Sequence, residues 1–433
     1  MTKAWLALAL ALAGCGRLGF EPVEGLRQDG GSDVPAGDLV TIVVTSDQYL
    51  AEVAGTPIAG ATVLVERSGG PDRLMTDASG MAQFSAAGAI ACHVVYKSDL
   101  GWRGYTVAAP LAGTIELGSR LATSPTHGMT FVLPASGNPS QFTVQFPSHC
   151  VTPSPSSTPS VAISYNAACE GTQGRLIGYA LASAGTGPDL YVDAGLVTLA
   201  NGGTYTVPGS YQALPVHPLA ISNLPAATDT VTAEVLARSG LDLTALTPVP
   251  VGATAQGSSA MLNLGAVPGG NALHLQVLAL TPLAYVSTSD RIAPVALAAQ
   301  AAAVDARGML PPIDSAMPGA RAVSWTGGAG GTITIVEGIA GGVQWDLYLD
   351  PSATSARVPD LPADLGVPVP GTFDFLSIVK LDVPGATLAD LLPTIDRRWP
   401  SWPHDPLLLP PAGGAMSRLL YLGTQQPPVA PGP

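Results

Sequence analysis

The chain has 433 residues, of which 50 are Gly and 41 are Pro, so about a fifth of it is turn-prone, where ordinary usage of the two is about 12%. Charged residues make up 11%, the formal net charge is −13, and lysine appears only at Lys3, Lys97 and Lys380. These values exclude a charge-rich disordered chain, a coiled coil and a basic nucleic-acid binder. The 47% apolar content, mostly Ala, Val and Leu, is enough to build cores.

Met1 to Gly14 carries one cation, Lys3, and then the unbroken apolar run Ala4–Ala13. Ten apolar residues fall short of the roughly 20 that cross a bilayer and fit the h-region of a secretion signal. The small residues Ala13 and Gly14 stand directly before Cys15. Leu12-Ala13-Gly14-Cys15 resembles a bacterial lipobox. The resemblance implies a signal peptide over 1–14, cleavage before Cys15 and acylation of that thiol. Several acyl chains, at about 0.8 kcal/mol per buried CH₂, hold a chain on a membrane. No Arg-Arg pair precedes the run, which fits Sec export better than the twin-arginine route. Gly16, rather than Asp, follows the cysteine, and this resembles the outer-membrane sorting pattern of Gram-negative lipoproteins. The alternative is an ordinary cleaved signal with a chance cysteine.

Residues 15–38 read as a lipidated tether, because Gln28-Asp29-Gly30-Gly31-Ser32-Asp33 is polar, glycine-rich and without apolar period. From Leu39 the pattern becomes strands separated by turn signals about every ten residues, as a β-sandwich requires. Val40–Val44, Ala61–Val65, Met81–Phe84, Ala91–Tyr96 and Gly104–Val107 are the predicted strands over 39–117. Asp77 and Gly80 supply a turn, and Ala82 and Phe84 share one face at period 2. Gly55-Thr56-Pro57-Ile58-Ala59-Gly60-Ala61-Thr62-Val63, followed by Thr76-Asp77-Ala78-Ser79-Gly80-Met81-Ala82-Gln83-Phe84, resembles carboxypeptidase-regulatory-like and related Ig-like domains. The likeness covers about 80 residues, under a fifth of the chain. It implies a spacer or binding module with no catalytic residues to carry over.

The same style continues through 118–215, 216–315 and 316–395, each read as a further sandwich of roughly 100 residues. Val295–Ala306, rich in the best helix former, is predicted as a short helix. Residues 396–433 read as a Pro/Trp-rich strap and a disordered tail. With Cys15 assigned to lipid, Cys92, Cys150 and Cys169 remain. Cys150 and Cys169 each follow a predicted strand and flank the Thr152–Pro159 turn, so a disulfide between them is expected, worth about 3 kcal/mol in the chain-entropy picture. Cys92 lies in a strand-like run and is expected to be a small buried hydrophobe.

No later segment offers 18 uninterrupted apolar residues, since the longest, Ile292–Val304, is broken by Pro294 and Gln300. Aromatics are too few for the girdles of an outer-membrane barrel. Nucleotide, metalloprotease, EF-hand and nucleophile-elbow motifs are absent, and neither His93 nor His149 stands in a metal-ligand spacing. Ser377-Ile378-Val379-Lys380 has the S-x-x-K spacing of serine β-lactamases. It lies in a predicted strand, which puts Ser377 and Lys380 on opposite faces. Trp345–Asp350 alternates: Trp345, Leu347 and Leu349 would face a core, leaving Asp346, Tyr348 and Asp350 as a solvated face or an acidic–aromatic rim for a glycan or cation. Arg397-Arg398-Trp399-Pro400-Ser401-Trp402-Pro403-His404-Asp405 is either a proline-braced strap or a stacking platform for sugar rings or a partner protein, with Arg397, Arg398, Trp399 and Trp402 as its contact residues.

The expectation is an all-β chain of tandem Ig-like sandwiches on a lipid-anchored tether, without cofactor, catalysis or nucleic-acid partner. It would act in the outer membrane, facing the periplasm or the cell surface, as a scaffold or adhesion protein through protein or glycan contacts. An accessory subunit for envelope assembly or transport is the alternative, and a hydrolase with an unrecognised site is a third reading.

Overall fold

The computed structural model describes most of residues 39–391 and the segment 415–422. Residues 1–38, 47–55, 392–414 and 423–433, with short stretches such as 119–125, 147–150, 183–188, 281–285 and 295–301, lie outside the described residues. The chain is all-β. Among the described residues, helix is confined to the turn Leu388–Leu391 and the 3-10 turns Ala167–Cys169 and Ala363–Leu365, and no helix is long and apolar enough to cross a membrane.

The first segment holds β1 (Leu39–Val44), β2 (Thr62–Arg67), β3 (Asp72–Met75), β4 (Met81–Ser85), β5 (Ala89–Ser98), β6 (Gly101–Ala108) and β7 (Gly113–Leu117). The second holds β8 (Thr126–Val132), β9 (Gln141–Gln145), β10 (Val151–Thr152), β11 (Ser160–Asn166), β12 (Gln173–Leu181), β13 (Leu190–Thr198), β14 (Thr204–Thr206) and β15 (Gln212–Ala213). The third holds β16 (Val216–Ser222), β17 (Thr230–Ser239), β18 (Asp242–Ala245), β19 (Val251–Thr254), β20 (Ser259–Gly265), β21 (Ala272–Leu280), β22 (Val286–Pro294) and β23 (Ala302–Asp305). The last holds β24 (Ile313–Gly319), β25 (Ala322–Gly327), β26 (Ile333–Ala340), β27 (Val343–Leu349), β28 (Ser355–Arg357), β29 (Phe375–Asp382) and β30 (Ala415–Leu422).

Local chemistry explains the first hairpin. The Asp77 carboxylate accepts from the Ser79 amide (2.8 Å), the Ser79 hydroxyl (2.6 Å) and the Met81 amide (2.9 Å), closing a turn before β4. Gly80 sits there at φ 74°, where an added Cβ would run into the Val44 carbonyl oxygen. β4 then alternates, with Ala82 and Phe84 buried. These pack with Val40, Ile42, Val63, Val94 and Tyr105 in the first core. Each fully buried Val or Ile of this kind stabilises by about 1.5–3 kcal/mol.

The sandwiches are not separate beads. One 13-stranded sheet runs in the order β18-β17-β21-β22-β30-β29-β26-β27-β6-β5-β2-β3, with β19 paired to β17 off that path. It therefore passes through strands of the third, last and first segments. Smaller sheets cover it locally. The β4-β1-β7 sheet packs on the first-segment end, where the core also takes in Ile333, Ile335, Tyr348 and Leu381 of the last segment. The β24-β25-β28 sheet contributes Ala316, Val323 and Trp325 to a core with Trp345, Leu347 and Ile378. The β20-β16-β23 sheet packs Leu219, Ile221 and Leu262 against Val231, Leu275 and Val277. That third core also buries Ile177, Tyr179 and Leu214 of the second segment, whose own two sheets are β10-β11-β8-β14 and β15-β13-β12-β9.

This architecture corrects three expectations. The boundary at 315/316 falls inside β24, and residues 415–422, assigned to strap and tail, form β30 in the middle of the long sheet. The described part of the predicted helix over Val295–Ala306 is strand β23, paired parallel to β16. Alanine's helix preference, worth tenths of a kcal/mol per residue, yields there to the ladder and to burial of Val304 and Ala306.

Candidate functional site

Three clusters of buried polar side chains mark the long sheet, and none was visible as a sequence motif. The first lies where β6 meets β27, the parallel seam between the first and last segments. Arg103 Nη2 donates to Asp346 Oδ2 at 2.6 Å, with both side chains almost fully buried. Arg103 Nε donates to the Tyr105 hydroxyl at 3.1 Å, and its guanidinium stands 4.9 Å from the Tyr105 ring centre. Glu337 lies directly across from Asp346 on β26, also buried, and accepts from Gln344 Nε2 at 2.7 Å. Two carboxylates on adjacent strands are the raw material of acid–base catalysis. Here they are enclosed within the sheet and clamped by Arg103 and Gln344, so what they do is join strands.

The sequence pattern placed Asp346, Tyr348 and Asp350 on one solvated face. The structure corrects this: Asp346 and Tyr348 are fully buried, and Asp350 alone of the three is exposed. The alternation was read as one wet and one dry face. β27 is instead a central strand covered on both sides, with Trp345 and Leu347 in one core and Tyr348 in another. Trp345 is fixed by its Nε1, which donates to the Thr106 hydroxyl at 2.9 Å. Gly104 provides the space for the Trp345 ring, since a Cβ there would overlap it.

The second cluster joins β17, β21 and β22. His274 Nδ1 lies 2.8 Å from Glu234 Oε1, and its Nε2 lies 3.0 Å from Asp290 Oδ1. Gln276 Nε2 donates to the same Asp290 oxygen at 2.8 Å. Burial alone would lower the His274 pKa, but the hydrogen bonds to Asp290 and Glu234 and their charges outweigh it and raise it to about 9. His274 is therefore an imidazolium at neutral pH, with both ring nitrogens donating. His93, by contrast, has a lowered pKa, because burial outweighs the help of Glu66 at 3.3 Å.

The third cluster is a row across four strands. Ser289 on β22 opposes Ser417 on β30, Ser417 opposes Lys380 on β29, and Lys380 opposes Thr334 on β26. All four are buried. The ammonium of Lys380 donates to the carbonyls of Pro351 (2.5 Å) and Ala353 (2.8 Å) and stands 5.7 Å from the Trp325 ring centre. Burial lowers its pKa, partly opposed by the charge of Asp350. Ser377 lies three residues away, opposite Glu337 rather than in this row, so strand geometry separates the S-x-x-K pair onto opposite faces. The hydroxyls of Ser287, Ser289, Ser417 and Thr334 have no hydrogen-bond partner among the described residues. A buried unmade hydrogen bond costs about 1–3 kcal/mol. Ser289→Ala and Ser417→Ala are thus expected to leave stability unchanged or raise it by up to about 1 kcal/mol. Chemical denaturation checks this, and a loss above about 1 kcal/mol from either variant would mean that the hydroxyl is satisfied.

Of the sequence-predicted site residues, Cys15, Cys150, Arg397, Arg398, Trp399 and Trp402 lie outside the described residues. Cys169 is buried and disulfide-bonded. Cys92 is a free, fully buried thiol whose pKa burial pushes up to about 12, which makes it chemically inert at neutral pH.

No family model and no curated protein matches the chain. Among solved structures, the TIE protein of Bacillus anthracis is 11% identical at a TM-score of 0.15, covering 64% of this chain. The chain spans 50% of the length of that protein. A putative adhesin from Bacteroides ovatus is 8% identical, with 40% of this chain and 83% of that one covered, at a TM-score of 0.16. A Ca2+-stabilized adhesin of an Antarctic bacterium is 11% identical over 81% of this chain and 96% of that one, at 0.13. Scores of this size carry no functional argument, and the functional reading rests on the residues of this chain.

Proposed function

We propose that the chain is a non-catalytic, lipid-anchored envelope protein whose tandem sandwiches form a stiff scaffold that presents protein- or glycan-binding surface away from the membrane. The observation that carries this reading is the continuous sheet. Strands from three segments share one hydrogen-bonded ladder, and the buried charged groups Arg103–Asp346, Glu337–Gln344 and Glu234–His274–Asp290 bond one another across its strands. Catalysis needs a polar pocket open to a substrate, whereas a spacer needs stiffness. The lipobox-like Leu12-Ala13-Gly14-Cys15 and the polar, glycine-rich composition of the stretch to Asp38 support the reading of an anchor followed by a tether. Cys150 is the proposed disulfide partner of Cys169.

Fractionation tests the anchor. The wild-type chain is expected in the outer-membrane fraction, and Cys15→Ala in the soluble periplasmic or secreted fraction. Protease added to intact cells then distinguishes a surface-facing chain, which is cut, from a periplasmic one, which is protected until the membrane is breached. If Cys15→Ala stays as firmly membrane-bound as wild type, the lipoprotein reading is wrong.

A further inference from the structure

The scaffold leaves the turn between β10 and β11 of the second segment without a role. Residues 152–160 are nine consecutive Pro, Ser or Thr residues, the longest such run in the chain. Of the turn itself, Pro155–Pro159 are described. Ser156 fixes its course: its amide donates to the Phe142 carbonyl at 2.8 Å, and its carbonyl accepts from the Phe142 amide at 2.7 Å. The turn therefore crosses from its own sheet to β9, the edge strand of the opposite one. The Ser156 hydroxyl donates to the Ser160 carbonyl at 3.0 Å and accepts from the Thr158 amide at 3.1 Å. The Pro159 carbonyl accepts from the Leu133 amide at 2.9 Å.

These bonds hold the tip in one shape and leave Ser157 and Thr158 exposed. The Ser157 hydroxyl bonds to no described residue. The Thr158 hydroxyl lies 3.3 Å from the Ser156 hydroxyl and 3.4 Å from the Ser160 carbonyl, both at the long end of hydrogen bonding. Composition and charge then choose the chemistry. Runs of Ser and Thr broken by Pro are the composition of O-glycosylated segments, and proline keeps such a backbone extended. No Asp, Glu, Lys or Arg occurs between Arg120 and Glu170. A phosphate acts by pairing with cations, and this stretch supplies none, whereas a neutral sugar needs none.

We propose that Ser157 and Thr158 are sites of O-linked glycosylation. The side-chain hydroxyl oxygen attacks the anomeric carbon of a glycosyl diphosphate donor held by a separate transferase. The oxygen–carbon bond of the glycoside forms and the bond from the anomeric carbon to the diphosphate breaks. The diphosphate leaves with that electron pair, and the hydroxyl proton passes to a base of the transferase. A sugar here hydrates a stretch that has no charge of its own, shields an exposed tip of the kind that proteases nick, and caps the β9 edge against a further strand. The assignment goes beyond the scaffold and does not depend on its lipid anchor.

The full-length chain made in its own host is compared with Ser157→Ala, Thr158→Val and the double variant. Trypsin releases residues 121–175 as one peptide, because no Lys or Arg lies between Arg120 and Arg175. After reduction, the wild-type peptide is expected to be heavier than its sequence by whole sugar units, with the addition removed by alkaline β-elimination. Fragmentation places it on Ser157 and Thr158, each single variant keeps only the other residue's sugar, and the double variant carries none. Denaturation midpoints confirm that the variants fold. A wild-type peptide at its unmodified mass overturns the proposal and leaves the scaffold reading standing. An addition that a phosphatase removes overturns it too, as does a sugar that persists in the double variant on another residue of 152–160.

Discussion

Asp346→Ala is expected to destabilise the chain by about 3–5 kcal/mol, because it strands the Arg103 guanidinium in a dry site. Both side chains of the pair are almost fully buried, at 3% and 1% exposure, and they meet at 2.6 Å across the seam between the first and last segments. The double variant Arg103→Leu/Asp346→Leu removes both charges and is expected to recover most of that loss, since replacing a buried pair by apolar groups is often neutral or stabilising. Arg175–Asp193 is the control. Its groups are 30% and 36% exposed at 2.7 Å, and Asp193→Ala should cost no more than about 1 kcal/mol. Denaturant titration of the four proteins measures the differences. Equal losses from Asp346→Ala and Asp193→Ala would mean that the seam admits water and that β6 and β27 are separable edges.

Stability is expected to fall by roughly 3 kcal/mol between pH 6.5 and 9, through His274. The pKa of this residue is raised to about 9 in the folded chain from an ordinary 6.5. A group whose folded pKa exceeds its unfolded one contributes fully below the unfolded value, and the contribution disappears as pH rises through the folded value. Glu234 and Asp290 are the groups bonded to it, and Gln276 donates to the same Asp290 oxygen. His93 acts in the opposite sense. Its lowered pKa makes stability fall on acidification below about 6.5, so the alkaline loss belongs to His274. Denaturation midpoints at pH 7, 8 and 9 should slope downward in wild type and lie flat in His274→Gln. A slope that survives in His274→Gln would remove the imidazolium from the account.

The strand content was legible in the sequence because its causes are local. Val40–Val44, the Asp77–Gly80 turn and the alternation at Ala82 and Phe84 each fix geometry within a few residues, and each is found as read. What spans the chain was not legible. Glu234, His274 and Asp290 are separated by 40 and 16 residues, and only strand register brings them together. Asp346 looked like half of a wet face because alternation reports pattern and cannot report that both faces are covered. β30 carried a signal, the run Ala415–Leu422 between Gly414 and Gly423, which the surrounding prolines obscured. The Arg397–Trp402 stretch lies outside the described residues, and its role as strap or platform stays with the sequence.

The account stands on one sheet passing through three sandwiches, and native-state hydrogen exchange tests that most directly. Amides of β6, β27 and β30 that point at a neighbouring strand should exchange only through the slowest opening of the molecule, as central strands do. If the sandwiches were independent beads, β6 and β27 would be edges, and those same amides would exchange at least about a hundredfold faster than the cores they border, as local openings a few kcal/mol cheaper allow. Slow exchange across all three strands is the result expected here; fast exchange at β6 and β27 would contradict the shared sheet.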